Sequence, residues 1–83
     1  MLLNYVMNNY SDYLSIIENH LDSLNHEYQS HDNQIEIYSI DEDTIIINIK
    51  NNQLIISTNK KQYKFVDTDK SFFKKLNSLL SNF

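Results

Sequence analysis

Residues 7–28 read MNNYSDYLSIIENHLDSLNHEY. Their apolar positions are Met7, Tyr10, Leu14, Ile17, Leu21, Leu24 and Tyr28, spaced alternately three and four apart. That spacing places all seven on one stripe of an α-helix. The opposite side carries Asp12, Ser15, Glu18, Asn19, Asp22, Ser23 and His26, and no Lys or Arg occurs before Lys50. The stretch therefore predicts a helix from Met7 to about Tyr28, with one apolar face and one face that is acidic or neutral. Such a helix needs an apolar surface to sit on, which the rest of the chain must supply.

Downstream the period changes from 3.6 to 2. Ile35–Ile40 predicts a strand with Ile35 and Ile37 on one side and Glu36 and Tyr38 on the other. Thr44–Lys50 (TIIINIK) is almost wholly β-branched, as befits a central strand. Gln53–Thr58 and Gln62–Val66 complete a meander, the latter with Tyr63 and Phe65 on one face and Lys64 on the other. The turns fall at His31-Asp32-Asn33, Asp41-Glu42-Asp43, Asn51-Asn52 and Asn59-Lys60-Lys61. Asp67-Thr68-Asp69 offers a cap for a second helix over about Lys70–Leu80, whose stripe is Phe72, Phe73, Leu76, Leu79, Leu80 and Phe83.

The predicted order is α-β-β-β-β-α in one domain, residues 1–83. The fold class is α+β: a two-layer α/β sandwich with an antiparallel meander sheet and both helices on one face. Leu14, Ile17, Leu21, Leu24, Leu76 and Leu80 are the expected core. Tyr38, Ile46, Asn48 and Ile55 fall on the far sheet face, expected to stay accessible as a contact surface.

Composition narrows function. The 83 residues contain no Gly, Pro, Cys or Trp. Ala and Arg are missing too, while Asn, Ile, Lys and Tyr abound, which points to an A+T-rich genome, that of a reduced intracellular bacterium, a phage or a plasmid. Without Gly there is no phosphate loop or dinucleotide fingerprint. Without Cys there is no disulfide, thiolate metal site or thiol nucleophile. No apolar run reaches the ~18 residues of a spanning helix, and the first residues lack the positive charge of a secretory signal; the expected location is the cytoplasm, with no membrane contact. No nucleophile–base constellation is visible, so no enzyme activity is expected.

Net charge is -4, split unevenly: residues 1–43 carry -9 and residues 44–83 carry +5. The basic half holds Lys60, Lys61, Lys64, Lys70, Lys74 and Lys75 around Tyr63 and Phe65. It reads better as a solubilising edge than as a nucleic-acid site. In the acidic half Glu18 and Asp22 stand four apart on one helix face. They are either a solvated face, oxygen ligands of a shallow iron site, or a docking patch for a basic protein surface. Asp41, Glu42 and Asp43 would extend that surface. His26 and His31 are surface residues on this reading.

The stretch Ile17-Glu18-Asn19-His20-Leu21-Asp22-Ser23-Leu24-Asn25 resembles the first-helix signature of the frataxin family, including its bacterial form CyaY, in which an apolar stripe runs beside an acidic ridge. IEIYSIDEDTIIINIKNNQLIISTNKKQ is similar to the first three strands of that family. Tyr63-Lys64-Phe65 resembles its later Tyr-His-Phe element, and SFFKKLNSLL its short final helix. The chain carries one or two strands fewer than the family, and its Gln-x-Trp strand has no counterpart here. The resemblance implies a small monomeric protein of iron–sulfur cluster assembly that binds iron weakly and regulates the cysteine desulfurase or scaffold complex. Together with the excess of carboxylates in residues 1–43, it leads us to expect weakly bound iron at Glu18, Asp22 and Glu36. The expected partner-binding residues are Asp12, Asp41, Glu42 and Asp43, with Ile46 and Ile55 on the sheet. The alternative is a small inhibitor from a mobile element that mimics DNA with spaced carboxylates and blocks a nuclease or another host enzyme.

Overall fold

A computed structural model describes residues 10–39, 43–50 and 53–81, without the side chains of residues 10 and 11. In chain order the elements are α1 (Tyr10–Ser23), β1 (Tyr28–His31), β2 (Gln34–Tyr38), β3 (Thr44–Lys50), β4 (Gln53–Ser57), β5 (Gln62–Phe65) and α2 (Lys70–Leu80). The strands form one antiparallel sheet in the order β1-β2-β3-β4-β5. It has five strands where the sequence pattern predicts four, and the extra one is β1.

The added strand has a local cause. The helix stops at Ser23 rather than Tyr28 because Asn25 turns left-handed, with φ at 61°. The His26 N–H donates to the Leu21 carbonyl (3.2 Å) and the Asn25 N–H to the Asp22 carbonyl (3.1 Å), the paired bonds of a Schellman cap. Asn serves here as a substitute for Gly in a chain that has none. Released from the helix, Tyr28–His31 pairs with β2 through a two-residue turn, with Asp32 at φ 55° and His31 opposite Gln34. Asn33 ties that turn to β3: its side-chain amide donates to the Ile49 carbonyl (2.5 Å), and its own carbonyl accepts from the Ile49 N–H (2.9 Å).

Strand alternation places the core. Cross-strand partners on one face make three rows: Tyr28, Ile37 and Ile45; Ile35, Ile47, Ile56 and Tyr63; Ile49, Leu54 and Phe65. The Ile and Leu residues of these rows are buried and join Tyr13, Ile17 and Leu21 of α1 and Phe72, Leu76 and Leu80 of α2 in one cluster. β3 is the middle strand, as its β-branched run predicts, and its exposed face is only half covered at Ile46 and Asn48. Each fully buried Ile or Leu contributes about 1.5–3 kcal/mol of transfer free energy.

α2 keeps its predicted bounds. The Asp69 carboxylate accepts the Phe72 N–H (3.1 Å) and caps the helix. Phe72 is buried edge-on to Phe65, with ring centroids 5.5 Å apart. α1 and α2 meet through His20, whose Nε2 lies 2.7 Å from Asn77 Oδ1, an oxygen that can only accept. The His20 ring also tilts against Phe73 at 4.6 Å.

Several residue expectations are corrected. Leu24 is 44% exposed rather than core, because it lies past the last helical turn, in the Schellman cap. Tyr28 belongs to β1, not to the helix stripe, and is half-buried. Leu14, Phe73 and Leu79 are half-buried against the core rather than enclosed, whereas Tyr13, off the expected stripe, is buried. Ile55, expected on an accessible face, is 8% exposed and lies outside the main core cluster; Tyr38 on the same face is exposed. The strands expected to reach Ile40, Thr58 and Val66 end at Tyr38, Ser57 and Phe65. Met7, Ile40, Asp41, Glu42, Asn51, Asn52 and Phe83, for which the sequence also carries expectations, lie outside the described residues.

Candidate acidic docking surface

The acidic surface is built where α1 runs beside the first hairpin. Glu18 and Asp22 sit one helical turn apart, and each is tied to β1. Ser30 Oγ donates to Glu18 Oε2, and Tyr28 Oη donates to Asp22 Oδ1 at 2.9 Å. Both donors are neutral hydroxyls. They fix the carboxylates in place and leave their negative charge uncompensated. The bond to Asp22 has a second effect: it holds the Tyr28 phenol above its ordinary pKa, helped by partial burial and by the charges of Asp22 and Glu18.

Glu36 lies on the other side of the sheet. It alternates with Ile35 and Ile37, which enter the core, so its carboxylate faces away from α1. There it accepts from Tyr38 Oη (2.8 Å) and Gln34 Nε2 (3.2 Å), and His31 Nε2 stands 3.8 Å away. Tyr38 Oη also lies 3.1 Å from Gln29 Oε1 and serves the two acceptors with one proton. Its hydrogen bond to Glu36 raises the Tyr38 pKa.

The three carboxylates expected to share a metal are therefore split: Glu18 and Asp22 together, Glu36 across the sheet. Among the described residues no three His, Asp or Glu side chains are grouped to hold a metal ion.

The other expected positions scatter. Asp12 is half-buried on the first turn of α1, near Tyr13, whose phenol is pushed up in pKa by burial and by the charges of Asp67 and Asp12. Asp43 stands just before β3, at the same end of the sheet as Tyr28 and Tyr38 but on the middle strand; there Asn59 Nδ2 donates to it (3.2 Å) and its N–H donates to Ser39 Oγ (3.0 Å). Ile46 is half-buried on the far sheet face and Ile55 buried.

One feature escaped the sequence pattern. Asp22, His26, Glu27, Tyr28, Gln29 and Tyr38 line an open hollow of about 550 Å³ at the start of β1. It brings Asp22 of α1 together with Tyr38 of β2. Glu27 and Tyr28 belong to it only because the helix ends early. The signal was Asn25-His26, a pair with weak helix propensity followed by polar residues.

No family model, curated protein or solved structure matches the chain. Among the described residues, no helix is long and apolar enough to cross a membrane.

Proposed function

We propose that this chain is a frataxin-like regulator of iron–sulfur cluster assembly, acting in the cytoplasm without catalysis of its own. Its acidic flank docks on a basic surface of the cysteine desulfurase complex. The observation that carries this reading is the pair Glu18 and Asp22. They stand on one helix face with neutral hydroxyl partners, in a stretch that has no Lys or Arg before Lys50. Carboxylates fixed in this way repel one another and are relieved when a positive surface arrives. The attraction steers encounter and is screened beyond about 8 Å at physiological salt.

The fold supports the same reading. Both helices contribute to one core cluster with one set of alternating strand residues, and His20 bridges to Asn77. These contacts favour two helices side by side on a single sheet face, the arrangement the resemblance implies. The fifth strand narrows the difference in strand number from that family. Iron enters as a weakly held cation at Glu18 and Asp22, with Glu36 too far round the sheet to join them.

The test is an NMR titration of the ¹⁵N-labelled chain with Fe²⁺ and, separately, with purified cysteine desulfurase. The expected result is shifts on α1 and the first hairpin, lost in the Glu18→Gln/Asp22→Asn double variant. If neither ligand moves those resonances and the acidic face engages a nuclease instead, the inhibitor reading replaces this one.

A further inference from the structure

The opposite edge of the sheet carries the other sign of charge. Among the described residues β5 pairs with β4 on one side only and is the last strand of the sheet. A strand in that place turns half of its backbone donors and acceptors outward, a template for another strand. Around it stand Lys60 and Lys61 in the preceding turn, Lys64 on the strand, and Lys74 and Lys75 on α2. Two hollows flank its core side. One, of about 380 Å³, is lined by Lys60, Lys61, Tyr63 and Leu79, and extends to Asp43 and Ile45 at the start of β3. The other, of about 270 Å³, is lined by Phe65, Ser71, Lys74 and Lys75. Tyr63 lines the first hollow and Phe65 the second, and these two residues stand roughly 7 Å apart, the spacing of same-side residues on a strand. Beyond β5, Val66 is 74% exposed, an apolar contact at the end of the edge.

We propose that the β5 edge is a docking site for an acidic, extended peptide segment of a partner protein, which adds to the sheet as a sixth strand. Main-chain hydrogen bonds supply the pairing, and alternate side chains of the added strand enter the two hollows. The lysines select the partner. They discourage pairing with neutral or basic strands and favour one that brings carboxylates.

A single-stranded nucleic acid is the competing anion, and the aromatic geometry disfavours it. Base binding needs an open ring face. Lys75 Nζ sits over the Tyr63 ring, 4.6 Å from its centre, and Phe65 is packed edge-to-face against Phe72. None of these residues belongs to the Glu18/Asp22 surface, so this proposal and the function proposed above fail independently.

The experiment uses the intact ¹⁵N-labelled chain and a capped eight-residue peptide that alternates Glu and Val. Saturable shifts centred on Gln62–Phe65 are expected, with hydrogen exchange of β5 amides slowed at least ten-fold at saturation. Binding should weaken at least ten-fold in the Lys60→Glu/Lys61→Glu/Lys64→Glu variant, whose three positions are exposed and whose fold is checked by circular dichroism. It should weaken as much for the same peptide N-methylated on alternate residues, which keeps its charge and loses its strand hydrogen bonds. Equal binding of a Lys/Val peptide, equal binding of the N-methylated peptide, or the absence of saturable shifts would overturn the proposal. So would tighter binding of a ten-nucleotide oligothymidylate at the same residues, which would assign the edge to nucleic acid.

Discussion

Leu21 and Leu24 occupy the same three-four stripe in the sequence, and the structure separates them. Leu21 is fully buried in the cluster shared by sheet and helices; Leu24 is 44% exposed beyond the end of α1. Truncating Leu21 to Ala removes buried methyl groups and leaves a cavity, at a cost of about 2–5 kcal/mol. For an 83-residue chain the whole folding free energy is about 4–12 kcal/mol, so this one change takes a large share. The midpoint should fall by roughly 4–8 °C for each kcal/mol lost. Leu24→Ala gives up only part of a side chain's burial and creates no enclosed cavity, and should cost about 1 kcal/mol or less. Leu21→Met, which nearly conserves volume, should cost less than about 1.5 kcal/mol. Urea unfolding followed by circular dichroism gives the three values, provided the m-value stays constant. Equal losses for Leu21→Ala and Leu24→Ala, or a larger loss for Leu24→Ala, would refute the early end of the helix and the core built on it.

Two further outcomes follow from the α1–β1 junction. Asn25 holds the left-handed turn at φ 61°, so Asn25→Ala should destabilise by about 1–2 kcal/mol while Asn25→Gly should be neutral or stabilising; a loss on Asn25→Gly as large as that on Asn25→Ala would contradict the cap. Tyr28 is raised in pKa by its bond to Asp22, which means that the folded state favours the neutral phenol. The stability this contributes is complete below the ordinary phenol pKa of about 10 and is lost as pH rises through the raised value. A spectrophotometric titration should show Tyr28 ionising late, as Tyr13 and Tyr38 do, and Asp22→Ala should return one phenol toward the ordinary range; a curve unchanged by Asp22→Ala would remove the Tyr28–Asp22 bond from the account.

The elements most legible in the sequence are those fixed by local pattern. Thr44–Lys50 and Lys70–Leu80 were readable to the residue, because a β-branched run and a capped amphipathic stripe each allow one conformation. The turn at Asp32-Asn33 was readable as a turn. β1 was not, since Tyr28-Gln29-Ser30-His31 shows no apolar alternation: it is a short edge strand held by pairing with β2 and by Glu18 and Asp22. Its recruitment depends on a left-handed Asn25, which in a chain without Gly is hidden among many Asn residues. The acidic pair Glu18 and Asp22 was visible from helical spacing. The separation of Glu36 was legible too, since it alternates with the apolar Ile35 and Ile37, although the family resemblance groups it with Glu18 and Asp22. The hollow at Asp22, Glu27 and Tyr38 depends on the same helix end as β1 and was equally hidden.

The central claim is that Glu18 and Asp22 present uncompensated charge to a basic protein surface. It is tested most directly by measuring the affinity of the chain for purified cysteine desulfurase, at about 0.05 and 0.5 M salt, with and without Glu18→Gln/Asp22→Asn. The account predicts binding that weakens at least ten-fold over that salt range and a double variant that has lost most of both the affinity and the salt dependence. Binding of equal strength in the double variant, with the same salt dependence, would contradict it.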